Sequence, residues 1–230
     1  REIPYSEVKM RNKFEVLNEK LVNPKNAVSN IEVMVRTERY GNITNKSYIN
    51  GYPDKSFKPD KQITRGEIAA ILANIMGLPI QDNLEKTRFK DVDSSHWAAK
   101  YIEAVAGANI FKGYEDSTFR PDETITRAEL ATVIFKYLNL DEKNAVKVSF
   151  TDTKGHWASD IIEEVSRNKI IKGYEDGSFK PNGKVTRAEA VVMINNMLYR
   201  DSLNTDASSF TDLDKTHWAF GHIEAAARDN

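Results

Sequence analysis

The sequence predicts a mainly α protein whose three helix-loop-helix units close on one another with pseudo-threefold symmetry. Three observations predict it. Two short blocks alternate along the chain in nearly constant register. Each copy of the second block runs into apolar residues at helical spacing. The repeats open on one block and close on the other, so the two leftover halves can complete each other.

Block one is His-Trp-Ala, at His96-Trp97-Ala98, His156-Trp157-Ala158 and His217-Trp218-Ala219. Each copy follows an F-x-D segment that starts at Phe89, Phe150 or Phe210. All three tryptophans of the chain lie in it. Block two is GY-x-D-x-x-F-x-P followed by TR-x-E, with "ITRGEI" at 63–68, "ITRAEL" at 125–130 and "VTRAEA" at 185–190. The block-two tyrosines Tyr52, Tyr114 and Tyr174 are 62 and 60 residues apart, and the tryptophans 60 and 61. An open array would strand the first Gly-Tyr loop and the last His-Trp-Ala segment. A closed ring predicts that residues 217–230 lie beside residues 47–60.

The elements follow in order. Residues 1–46 fall outside the repeats, as the tail of a preceding domain or a strap. They carry a possible helix in "YSEVKMRNKFEVLNEKLV" and strand-like alternation at Ile31, Val33 and Val35. The sequon at Asn42-Ile43-Thr44 reads as accidental. The first unit runs 47–88 and is completed by 210–230. The second runs 89–149 and the third 150–209, with 210–230 as the closing helix.

Each TR-x-E phrase starts an amphipathic helix. The buried stripes are Ile68, Ile71, Leu72, Ile75 and Met76, then Leu130, Val133, Ile134, Tyr137 and Leu138, then Ala190, Met193, Ile194, Met197 and Leu198. Block one also reads as a helix, with Trp97, Ile102 and Val105 on a common side. The Gly-, Pro-, Asn- and Asp-rich stretches between are structured loops.

Threonine and glutamate in the phrase have a structural reading. Thr-x-x-Glu before an apolar helical run is a capping box, so Thr64/Glu67, Thr126/Glu129 and Thr186/Glu189 are expected to cap. Capping does not require the arginine between them. A cation at the first helical position opposes the helix dipole, yet Arg65, Arg127 and Arg187 all stand there. One reading is an anion site built from guanidinium and free helix amides. The other is an internal salt bridge to a loop carboxylate such as Asp116 or Asp176.

Composition narrows the function. The 230 residues are 40% hydrophobic, carry a net charge of −1 and include no cysteine. Near-neutral charge argues against nucleic-acid binding, and no apolar run reaches the ~20 residues of a membrane span. Disulfides, thiolate metal sites and cysteine catalysis are excluded. No nucleophile motif, phosphate loop or paired metal-ligand spacing is present, so neither an enzyme nor a metal or other cofactor is expected. The Asp-containing loops lack the alternating ligands of a calcium loop. The chain begins at Arg1 and is read as a fragment of a longer protein.

The two motifs, three times in register over residues 47–230, resemble the S-layer homology module in triplicate. The resemblance implies three helix-loop-helix prongs around a central three-helix bundle. It implies an extracellular protein of the bacterial cell wall or S-layer, held non-covalently by binding secondary cell-wall polysaccharide. The ligand end it implies is pyruvylated N-acetylmannosamine, held in grooves between prongs, with Arg65, Arg127 and Arg187 on the pyruvate carboxylate. Trp97, Trp157 and Trp218 then either stack on sugar or belong to the core. Tyr52, Tyr114 and Tyr174 are core or groove wall, with hydroxyls able to face sugar. Gly51, Gly113 and Gly173 are expected to supply a backbone conformation disfavoured elsewhere, and room for a sugar. An S-layer lattice or a fused cargo domain, such as a glycanase, is the implied partner. The runner-up is a helical protein-protein interaction module.

The copies differ. Gly66 replaces alanine in the first phrase. Lys55 and Ser117 stand where the third loop has Gly177. If that position needs positive φ, only the third loop has the ideal residue. Three similar grooves of unequal affinity are therefore expected, acting together by avidity.

Overall fold

The computed structural model describes residues 45–141 and 150–229. The helix and strand expected within residues 1–44 lie outside the described residues. Ser47–Ala227 form one compact unit. Its helices are α1 (Arg65–Met76), α2 (Ala99–Gly107), α3 (Arg127–Tyr137), α4 (Ser159–Arg167), α5 (Arg187–Met197) and α6 (Phe220–Ala227). Among the described residues there is no strand, only three isolated antiparallel bridges.

Each capping-box helix packs on the block-one helix that follows it: α1 on α2, α3 on α4 and α5 on α6. The three pairs are joined at an axis by the extended residues before each Thr-Arg. Ile63 N donates to Val185 O (3.0 Å), Val185 N to Ile125 O (3.1 Å), and Ile125 N to Ile63 O (3.1 Å). The hydrogen bonds thus run round a closed triangle. All three side chains there are fully buried and β-branched, which favours the extended backbone the triangle requires.

The helix starts use the same symmetry. A helix leaves its first N–H groups without internal partners. Here Arg65 N donates to Glu123 O, Arg127 N to Gly183 O and Arg187 N to Lys61 O, each at 2.9 Å. The next amides, of Gly66, Ala128 and Ala188, donate to Pro121 O, Pro181 O and Pro59 O. The threonine hydroxyl takes the third, and the glutamate carboxylate returns to the threonine N–H, in all three copies. The helix ends therefore offer no free amides to an anion. The expected anion site of free helix amides is therefore not formed, because the neighbouring repeat already occupies them.

Block one is tied to block two by an aspartate. The F-x-D carboxylates Asp91, Asp152 and Asp212 each accept two consecutive backbone amides. The donors are Phe119 and Arg120, Phe179 and Lys180, and Phe57 and Lys58. The third clamp crosses the break in the ring. So does Tyr48, whose N–H donates to Ala226 O (3.0 Å) and whose hydroxyl donates to the buried Asn195 (2.7 Å). The last His-Trp-Ala segment thus sits against the first Gly-Tyr loop, as closure requires.

The loop position occupied by Lys55, Ser117 and Gly177 is left-handed in every copy, with φ of 64°, 63° and 77°. A side chain there costs about 1 kcal/mol relative to glycine. Ser117→Gly, and separately Lys55→Gly, is expected to raise unfolding stability by about 0.5–1 kcal/mol in urea titration, while Gly177→Ser lowers it by a similar amount.

Candidate functional site

The three arginines are the best point from which to build the site, because each reaches out of its own helix start into the next repeat. Arg65 Nε donates to Phe119 O (2.7 Å), Arg127 Nε to Phe179 O (2.8 Å) and Arg187 Nε to Phe57 O (2.9 Å). Their guanidinium groups also lie over the block-two tyrosines, Arg65 on Tyr114 at 4.5 Å, Arg127 on Tyr174 and Arg187 on Tyr52 at 4.8 Å. A second cation contacts each ring: Arg120, Lys180 and Lys58, at 4.1, 4.0 and 4.4 Å. Each tyrosine hydroxyl donates to the capping glutamate of its own repeat, Glu67, Glu129 or Glu189. The capping glutamate therefore serves both a helix end and a cleft wall.

The outer edge of the guanidinium is held less firmly. Arg65 Nη1 stands 3.4 Å from Glu129 and its Nη2 3.4 Å from Lys112 O. Arg187 repeats this with Glu67 and Asn50 O, both at 3.3 Å. Arg127 bonds Lys172 O at 3.0 Å and, among the described residues, makes no ion pair. Neither Asp116 nor Asp176 is the arginine's partner. Asp116 pairs with Arg120, and Asp176 accepts from Ser178.

Arg65, Tyr114, Glu129 and Trp157 line one cleft of about 350 Å³, with Lys112 and Lys136 on its walls. Gly113 forms part of it. The residues come from the start of α1, the loop before α3, α3 itself and the turn before α4. Trp157 is 64% exposed, and Trp97 and Trp218 are 53% and 63% exposed. Ile102 and Val105 are buried, so Trp97 does not share their side and the tryptophans are not core. Each neighbouring histidine fixes the turn, its Nδ1 accepting from the alanine N–H two residues on (3.2 Å).

The repeated glycines play another part than expected. Gly51, Gly113 and Gly173 do not have positive φ. A Cβ on Gly51 would stand 2.6 Å from the Phe210 ring and 2.7 Å from Ser56 O, and Gly113 and Gly173 meet Phe89 and Phe150 in the same way. Glycine is required because the F-x-D phenylalanine packs onto its Cα, not for conformational freedom.

The sequence profile of the S-layer homology domain matches residues 42–69, 88–131 and 149–191. The chain belongs to the S-layer homology family.

Its relatives include cell surface glycoprotein 1 of Acetivibrio thermocellus, 38% identical over 80% of this chain and 8% of that protein. The cellulosome-anchoring protein of the same organism is 41% identical over 76% of this chain and 41% of its own length. An S-layer protein of Bacillus licheniformis is 32% identical over 72% of this chain and 19% of its own. The chain thus spans less than half of each. This company makes it an extracellular, cell-wall-associated chain of the surface-anchoring kind. Among the described residues no helix is long and apolar enough to cross a membrane.

The electrostatics of the S-layer homology cleft follow from burial. Burial pushes the Arg65 guanidinium pKa down, and Glu129 partly offsets it. Burial alone would raise Glu129, but hydrogen bonds from Thr126 and Tyr114 and the charge of Arg65 outweigh it and hold the carboxyl low. Burial, with the bond to Glu129, pushes the Tyr114 phenol up to about 12. At neutral pH the cleft therefore holds charged cations, one carboxylate and a neutral phenol. Sequence reasoning missed Lys112 and Lys136. Both left a signal: Lys112 directly precedes the Gly-Tyr, and Lys136 lies seven residues after Glu129, on the same helix face.

Proposed function

We propose that this chain anchors an exported protein to the bacterial wall by binding secondary cell-wall polysaccharide in the clefts between repeats. The reading rests on one observation above others: an exposed tryptophan, a tyrosine and the Arg65 guanidinium share a single cleft. An aromatic face suits the apolar face of a sugar ring, and a guanidinium suits a carboxylate. We assign the carboxylate to the pyruvyl ketal of a terminal N-acetylmannosamine. The loosely held outer edges of Arg65, Arg127 and Arg187 would receive it. The long contacts of Arg65 and Arg187 to the capping glutamates can be exchanged for the ligand at little cost. Tyr52, Tyr114 and Tyr174 and the glycine backbones would form the walls.

In this reading the units are 47–88 completed by 210–230, 89–149 and 150–209. The module is not itself catalytic, and any activity belongs to cargo or lattice elsewhere in the parent protein. Several weak clefts on one polymer give tight attachment through effective concentration.

Calorimetric titration tests the proposal, using a pyruvylated wall disaccharide and the same disaccharide without pyruvate. The expected result is binding of the first at least tenfold tighter than the second, a difference of about 1.4 kcal/mol. Equal affinity, or no heat with either sugar, would remove the pyruvate assignment.

A further inference from the structure

Lys112 and Lys136 both line the Arg65 cleft, near enough for the charge of one to act on the other. Among the described residues neither ammonium has a carboxylate or hydrogen-bond partner. Lys136 is half-buried on α3, and burial together with the charge of Lys112 holds its pKa below the usual lysine range. Lys112 is exposed and Lys136 half-buried, so their repulsion is partly screened, and an anion between them would relieve what remains.

The pair is also displaced from the arginine. Arg65 meets Glu129 at the start of α3. Lys136 stands seven residues further along, about 10 Å at the rise of an α-helix. The cleft thus offers two cationic points with Tyr114 and Trp157 on its walls. The other repeats lack the second point. At the positions of Lys112 and Lys136, the Arg127 repeat has Lys172 and Asn196, and the Arg187 repeat has Asn50 and Asn74. Asn196 is committed to Ile170 O at 3.0 Å.

Resting on the glycan reading above, we infer that the Lys112–Lys136 pair is a second anion-binding point in the Arg65 cleft alone, where it takes a further carboxylate or phosphate of the same glycan. The Arg65 cleft then selects for a doubly acidic segment of the polymer. The clefts at Arg127 and Arg187 take a singly acidic end.

Tryptophan fluorescence tests this cleft by cleft. A Trp97→Phe/Trp218→Phe chain leaves Trp157 as the reporter of the Arg65 cleft. It is titrated with a pyruvylated disaccharide and with the same disaccharide carrying one added phosphate. The doubly acidic probe is expected to bind about tenfold tighter, an advantage that shrinks at 0.5 M salt. Adding Lys112→Gln and Lys136→Gln should abolish that tenfold gain and leave the singly acidic probe within about twofold. Circular dichroism confirms the fold of each variant. Equal binding of both probes by the parent reporter chain, or a glutamine variant that keeps the gain, overturns the inference. If Trp157 responds to neither probe while the calorimetry still shows pyruvate-dependent binding, this inference alone fails. If the calorimetry is silent as well, the glycan reading falls with it.

Discussion

Arg65→Ala is expected to destabilise the chain by about 3 kcal/mol in the absence of any ligand. Arg65 is only 3% exposed. Its Nε donates to the Phe119 carbonyl, and its guanidinium lies over Phe111, Tyr114 and Phe119 at 4.7, 4.5 and 4.9 Å. Alanine leaves that buried carbonyl without its charged donor, which costs about 1–3 kcal/mol, and removes the packing of a long side chain against three rings. Glu129 adds little to the loss, because its contact with Arg65 is long and its carboxylate keeps the bonds donated by Thr126 N–H and the Tyr114 hydroxyl. For a chain of this size the melting temperature falls by roughly 6–12 °C. Thermal unfolding followed by circular dichroism measures it. A fall under 2 °C would show that the side chain is idle in the fold. The consequence for binding work is direct, since loss of glycan binding in an arginine-to-alanine variant reports on the cleft only when folding is shown to persist.

Gly113→Ala is the second large effect, with an expected loss of about 3 kcal/mol. The added methyl falls on the Phe89 ring and the Thr118 carbonyl. Phe89 is itself packed against Phe119 with ring centroids 5.2 Å apart, so neither ring can move freely. Overpacking of this kind costs about 1–3 kcal/mol, with backbone contact at the upper end. Gly77→Ala is the control. Gly77 has φ of +57° and open space around it, so alanine there costs only about 1 kcal/mol of backbone strain. Urea unfolding of the two variants separates the explanations. If Gly113→Ala cost no more than Gly77→Ala, the packing account of the repeated glycine would be wrong.

Much of this fold is written in side chains that repeat. Register, apolar spacing and the leftover half-units carry the helices and the closure, because each depends on which residue types stand where. The axis left no such mark. Its triangle is made of backbone hydrogen bonds at Ile63, Ile125 and Val185, and branched residues in an extended stretch point equally to a strand. The Asp91, Asp152 and Asp212 clamps show in the sequence as a repeated F-x-D segment but not as bonds, because their partners are amides 27 to 29 residues on, or across the break in the ring. For the arginines, the sequence marked residues that capping could not explain. It could not show that their Nε groups hold the next repeat, since that contact exists only once the repeats are arranged about the axis. For the glycines, the choice between conformation and close packing depends on a ring from another block, Phe89, Phe150 or Phe210.

Wall anchoring through a polysaccharide is tested most directly by co-sedimentation. The chain is mixed with purified bacterial cell walls, and with the same walls after their secondary polysaccharide has been stripped by acid. The account predicts that the chain pellets with native walls, stays in solution with stripped walls, and is released from native walls by the soluble polysaccharide. Equal pelleting with native and stripped walls, undisturbed by the soluble polymer, would contradict it.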